Sequence, residues 1–272
     1  ASALTAVAAL VTGGLIGLSL LYLNAERQRQ NAERQRQLAE RQEAGARALS
    51  KFYEDHVLAA ARPPNWEGGV SKDITLREAL DQAAPKIGEA FSGQPELEAG
   101  VRHTLGITYW DLGRFDSANP QLEKAYALRN ELLGPENADT LATAYNLAKQ
   151  RQRQGKFDEA GKLFRETLER RRRVLGEDHK DTLLTRLSIG TLLWESAKYD
   201  EAETMLREAI AACKRVLGPD HHHTFHGQSD LALVFGDQGR LEESLALHRE
   251  TLEGRRRALG AEHYSTLLSM HN

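Results

Sequence analysis

Leu175-Gly176-Glu177-Asp178-His179-Lys180-Asp181-Thr182-Leu183 decides how the rest of the chain is read, because it comes round again. Leu-Gly pairs stand at Leu133-Gly134, Leu175-Gly176, Leu217-Gly218 and Leu259-Gly260, with a spacing of 42 residues each time. A second series, Gly113-Arg-Phe-Asp116, Gly155-Lys-Phe-Asp158, Ala197-Lys-Tyr-Asp200 and Gly239-Arg-Leu-Glu242, keeps the same period, and so does a third of small residues, Ala118, Ala160, Ala202 and Ser244. Three registers that agree over four copies mark a stack of repeated units.

Working outward, each unit reads as two helices. Leu141, Ala144, Leu147 and Ala148 fall at helical spacing in a first helix from Asp139 to Gln154. Asp139, Asp181 and Ser265 are expected to cap the first helices, and Asp116, Asp158 and Asp200 the second ones. Gly113, Gly155 and Gly239 supply the left-handed residue that ends the first helix. In the second copy Leu163, Phe164, Leu168, Val174 and Leu175 are expected to face inward. Neither helix can bury its apolar face alone, so neighbouring hairpins must stack into an all-α solenoid. The boundaries that follow are units 93–134, 135–176, 177–218 and 219–260, with a partial unit 261–272.

The small residues Gly106, Ala148, Gly190 and Ala232, with the series at Ala118 and at Ala125, Thr167, Ala209 and Thr251, match the close-contact positions of a tetratricopeptide repeat. The stretch Gly176-Glu-Asp-His-Lys-Asp-Thr-Leu183, followed by Gly260-Ala-Glu-His-Tyr-Ser-Thr-Leu267, resembles the kinesin-light-chain-like branch of that family. Gly218-Pro-Asp-His-His-His-Thr-Phe225 departs from it by losing the acidic residue. The resemblance covers 93–272 and implies a right-handed superhelix whose first helices line a groove for a protein or peptide ligand. Thr104, Asn146, Ser188, Asp230 and Asn272 are polar at one register, where the matching asparagine of related repeats meets a peptide backbone. Ile107, Lys149, Thr191 and Leu233 follow one turn on, then Trp110, Arg153 and Glu195. The groove set is therefore Thr104, Ile107, Asn146, Lys149, Arg153, Ser188, Thr191, Glu195 and Asp230.

The first 23 residues carry no charge and run almost wholly apolar, long enough at about 1.5 Å per residue to cross a bilayer. They predict a membrane helix, with Ala9, Gly13 and Gly17 on one face for a partner helix. Asn24-Ala-Glu-Arg-Gln-Arg-Gln30 and its near copy Asn31-Ala-Glu-Arg-Gln-Arg-Gln37 predict a helical stalk over 24–60, thin in apolar residues, with a homodimer through helix and stalk as an option. In the capping segment 61–92, Thr75-Leu-Arg-Glu78 is a capping box, and Pro95 opens the next helix at its first turn.

This order (apolar helix, Glu/Arg/Gln helix, Asp-Ile-Thr-Leu-Arg-Glu helix, Gln-Pro-Glu-Leu-Glu-Ala, repeats) resembles the C-terminal, non-catalytic half of bacterial transmembrane serine/threonine protein kinases. The resemblance implies a single-pass protein of the bacterial cytoplasmic membrane with extracytoplasmic repeats, and a kinase domain before Ala1. The glycine-rich loop, H-R-D and D-F-G of a kinase do not occur in the 272 residues. A kinase-independent membrane-anchored assembly scaffold is the alternative.

Composition narrows the chemistry. A formal net charge of −3, from 36 Lys+Arg against 39 Asp+Glu, argues against a nucleic-acid coat protein, and one cysteine, Cys213, excludes an internal disulfide. Arg170–Arg173 and Arg255–Arg257 recur at the ends of second helices, where cations complement the helix dipole. His221, His222, His223 and His226 could serve a metal-dependent enzyme, but His221 is in register with His179 and His263 and belongs to the repeat. No metal, cofactor or catalytic residue is assigned, and binding is the expected role.

Overall fold

The computed structural model describes residues 2–62, 65–67, 69–70 and 73–271, and the side chains of these except 2–21, 41 and 271. Among the described residues every regular element is a helix. The chain divides into two compact units, 1–94 and 95–272.

In the first unit, α1 (Ser2–Phe52) continues into a π-helical turn, Tyr53–Leu58, and a short 3-10 turn, Ala59–Ala61. α2 (Leu76–Ala83) begins at the capping box, in which the Thr75 hydroxyl accepts from the Glu78 N–H at 3.3 Å while the Thr75 N–H donates to the Glu78 carboxylate at 2.9 Å. Together with α3 (Ile87–Ala90) it brings a small apolar centre together, where the Phe52 and Phe91 rings lie 5.2 Å apart and Ile87 is fully buried. Leu76, at the first position of α2, is exposed, whereas Leu80 and Ala83 are buried.

The expectation of a single-pass membrane protein is corrected here. Among the described residues, no helix is long and apolar enough to cross a membrane. From Asn24 to Lys51 the first helix is dominated by Glu, Arg and Gln, and charge at that density cannot be placed in hydrocarbon. The extracytoplasmic placement of the repeats falls with it. Ala9, Gly13 and Gly17 lie outside the residues whose side chains are described.

In the second unit the hairpins are α4 (Pro95–Asp111) with α5 (Phe115–Leu133), α6 (Ala138–Arg153) with α7 (Phe157–Leu175), α8 (Lys180–Glu195) with α9 (Tyr199–Val216), and α10 (His222–Asp237) with α11 (Leu241–Leu259). α12 (Tyr264–His271) follows, and each second helix packs on the first helix of the next hairpin. Phe164, Leu206 and Leu187 are completely buried between them, each contributing about 1.5–3 kcal/mol of apolar transfer. Gly190 lets the helices of its hairpin close up, since a Cβ there would stand 2.6 Å from Leu206 Cγ. Val174, expected inside, is 46% exposed.

The recurring loop motif has a direct physical basis. His179 Nδ1 accepts the Asp181 N–H at 3.2 Å, and His221 and His263 make the same bond at the same distance to His223 and Ser265; Asn137 serves the first loop at 2.9 Å. The cap is thus the histidine or asparagine, two residues before the Asp139, Asp181 and Ser265 expected to fill that role. The third loop therefore keeps its cap despite losing the acidic residue. Thr182 Oγ1 donates back to the Gly176 carbonyl at 2.8 Å, and Thr224 and Thr266 repeat that bond at 2.9 Å. Asp116, Asp158 and Asp200 are likewise not caps. They lie inside the first turn of the second helices, where a negative charge favours the dipole.

At the hairpin turns the Lys156 N–H reaches the Arg151 carbonyl at 3.0 Å across Gly155, which has φ 73°. This left-handed closure satisfies a carbonyl that the helix end would otherwise leave open. The third hairpin uses Ala197 at φ 58° for the same turn.

Candidate functional site

The first helices of the hairpins present their polar register to an open groove of about 960 Å³. Its size lies at the upper end of the 300–1,000 Å³ usual for ligand-binding clefts. Of the nine groove residues expected from sequence, Asn146, Lys149, Arg153, Ser188, Thr191 and Glu195 line it; Thr104, Ile107 and Asp230 are not in its lining.

These side chains differ in how far they are already engaged. The Ser188 hydroxyl is 2.9 Å from the Tyr145 hydroxyl. Thr191 Oγ1 donates to Asp230 Oδ2 at 2.6 Å, so Asp230, only 8% exposed, supports the groove wall from behind. Glu195 accepts from Gln152 Nε2 at 2.9 Å, and the Arg153 guanidinium lies 5.3 Å from the Phe115 ring centre. Asn146 and Lys149 stand apart. Among the described residues neither side chain has a hydrogen-bond or ion-pair partner, and the Lys149 ammonium rests over the Trp110 ring, 5.5 Å from its centre. Burial pulls the Lys149 pKa down, with Asp230 acting in the opposite sense and Arg153 reinforcing the burial. A half-buried ammonium and a free amide, three residues apart on one helix, offer donors to an incoming carbonyl or carboxylate.

The histidines gather at one end of the groove, where His222, His223 and His226 contribute to the lining. Donor nitrogens of His221, His222 and His223 lie within 4.8 Å of one another. Burial, then the neighbouring His222, His221 and His226, push His223 down to about 4. His226 Nδ1 is 3.6 Å from Asp230 Oδ2.

A second periodic feature escaped the sequence reading. Arg171, one of the helix-end cations expected to complement the dipole, is buried: it donates to the Asp181 carbonyl and to Thr185 Oγ1, both at 2.8 Å, and stacks 5.1 Å from the Tyr145 ring centre. Arg129 makes the same pair of contacts to Asp139 at 3.1 Å and Thr143 at 2.7 Å, and Arg255 reaches the Ser265 carbonyl at 3.2 Å and also Ser269. In the third copy the arginine position is Cys213 and the threonine position Gly227. Buried Cys213 has its thiol pushed up to about 11 by burial. The signal was present as Arg129/Arg171/Arg255 against Thr143/Thr185/Ser269 at constant spacing, masked at Arg171 and Arg255 by the arginines beside them.

Stacked helix hairpins with a polar groove along their first helices define a helical-repeat binding scaffold. The chain belongs to the tetratricopeptide-repeat family: models described as tetratricopeptide repeats match residues 139–215, and 99–139 with 227–265. Among solved structures it is similar to BtubC (BKLC) from P. vanneervenii, at 20% identity and TM-score 0.57, covering 84% of this chain and 93% of that one. It is also similar to a putative kinesin light chain of Podosopora anserina with nearly identical TPR-like repeats, at 20% identity and TM-score 0.53, covering 80% and 96%. A single-substitution form of that protein gives 19% identity and TM-score 0.55, covering 79% and 94%. These likenesses show the fold alone. No curated protein matches the chain.

Proposed function

We propose that this chain is a recognition module that binds a protein or peptide segment along the first-helix groove, with Asn146 and Lys149 as the principal polar contacts. The observation that carries this reading is that neither side chain has a hydrogen-bond or ion-pair partner among the described residues, while Ser188, Thr191, Glu195 and Asp230 at neighbouring positions are engaged. Groups that face a groove without internal partners gain most from a ligand, because their hydrogen-bonding capacity is otherwise met only by water. Arg153 and Thr191 flank them and shape the site.

The test uses the full chain and peptides selected on it from a displayed random library. Asn146→Ala combined with Lys149→Ala should weaken their binding by about 1–3 kcal/mol, a factor of roughly 5–150. Selected peptides that bind the double variant as well as the wild type would refute the assignment.

The order of motifs from Asp73 to Ala99 supports a finer reading, in which the module serves a serine/threonine kinase domain in the same polypeptide. Sequencing the coding region upstream of Ala1 tests it: a kinase signature supports the coupling, and an unrelated sequence leaves a kinase-independent scaffold.

A further inference from the structure

The start of α10 carries a chemical group that the repeat itself does not require. At the registers of His222, His223 and His226, the second copy has Lys180, Asp181 and Leu184, and the last has Tyr264, Ser265 and Leu268. Packing therefore makes no demand for imidazole at these places. Only His221 follows the repeat, and its Nδ1 is occupied by the cap bond to the His223 N–H at 3.2 Å.

We propose that His222, His223 and His226 form a binding site for one borderline divalent transition-metal ion, of the zinc and nickel class. Two features of the geometry point this way. The His222 and His223 rings lie 4.0 Å apart, and the donor nitrogens of these two and of His221 lie within 4.8 Å of one another. Two nitrogens held at about 2.0–2.1 Å from a tetrahedral metal stand about 3.3 Å apart, so closing His222 on His223 needs a shift of no more than about 1.5 Å. His222 is exposed, and its side chain is free to make that rotation. His226 is four residues from His222 on the same helix face, the spacing at which two helical histidines share a metal.

His226 is also prepared by its surroundings. Its Nδ1 faces the buried Asp230 carboxylate at 3.6 Å, which leaves Nε2 as the outward donor. A carboxylate behind a histidine ligand is the arrangement that fixes ring orientation and raises ligand basicity at metal centres. The positive end of the α10 dipole opposes a cation, by about 0.3–1 kcal/mol at an exposed helix end. Asp230, and Asp181 acting on His223 from α8, supply negative charge against it. An all-imidazole donor set selects zinc, nickel or copper over magnesium or calcium, which take oxygen ligands.

Titration of zinc or nickel alone into the full, tag-free chain by isothermal calorimetry tests the site without any peptide, so its outcome is independent of the groove reading. One saturable site per chain is expected. His222→Ala with His226→Ala should weaken it by about tenfold or more, while His221→Asn, which keeps a capping side chain of the kind Asn137 provides, should leave it within about threefold. Circular dichroism of the variants checks that helix content is retained. Absence of saturable binding, equal affinity in the double variant, or a loss in His221→Asn as large as in the double variant would each overturn the proposal.

Discussion

Replacing Arg171 with alanine should cost the second unit about 2–4 kcal/mol. The side chain is 4% exposed and donates two bonds of 2.8 Å, to the Asp181 carbonyl and Thr185 Oγ1. Hydrogen bonds from a charged donor contribute about 1.5–3 kcal/mol each, and the stacking on Tyr145 adds about 0.5–2. Against that sum, removing the guanidinium recovers its desolvation cost. Neither acceptor is fully orphaned, because Thr185 Oγ1 still donates to the Asp181 carbonyl at 2.7 Å. The net falls between the gain from one such bond and the gain from both. Arg171→Met, which keeps the stem without the charge, should lose no more than about 1 kcal/mol, since a buried ion exchanged for a well-packed apolar chain is often close to neutral. Urea unfolding followed by far-UV circular dichroism, with hydrogen exchange at the start of α8, measures both. An alanine variant within about 0.5 kcal/mol of wild type, the range of ordinary surface changes, would refute the view that this arginine ties α7 to α8.

Three further outcomes follow from the same structure. Ala197→Gly should stabilise the third hairpin by about 0.5–1 kcal/mol, because an L residue at φ 58° carries a strain that glycine does not; a lower unfolding midpoint would contradict this. His103, pushed down to about 4 by burial first and the Arg129 charge second, should make stability fall as pH drops from about 6.5 to about 4. In that window the unfolded chain binds a proton that the folded one refuses, so His103→Asn should reduce the slope by up to about 1.4 kcal/mol per pH unit, and an unchanged slope would exclude the effect. Gly190→Ala should destabilise by about 1–3 kcal/mol through Leu206, read as a lower urea midpoint; an unchanged midpoint would show that the hairpin can relax there.

Much of the helical arrangement was legible because it is written four times. The Leu-Gly pairs, the small residues facing Leu122, Phe164 and Leu206, and the glycine turns each have a packing or backbone reason visible at constant spacing. Capping was misjudged because acidic residues are common caps, whereas here the His179 and His221 rings reach the N–H two residues on. The buried Arg171 was missed because it stands between Arg170 and Arg172, and a run of four arginines looks uniformly solvated. Only the bonds to the following helix separate it from its neighbours. Groove lining was partly legible: the polar register shared with related repeats, followed one helical turn on, indicated Asn146 and Lys149, but not Tyr145, nor that Asp230 would turn to brace Thr191. The membrane expectation came from an apolar count over the first residues, and the described helices do not support it.

The most direct measurement is site-specific photocrosslinking of a library-selected peptide to the full chain. A benzophenone side chain is introduced at Arg153 in the groove, or at exposed Lys162 on the second helix of the same hairpin. The account predicts a crosslink from position 153, competed by unlabelled peptide, and none from position 162. Crosslinking from 162 with none from 153 would place the ligand on the second-helix surface and contradict the groove.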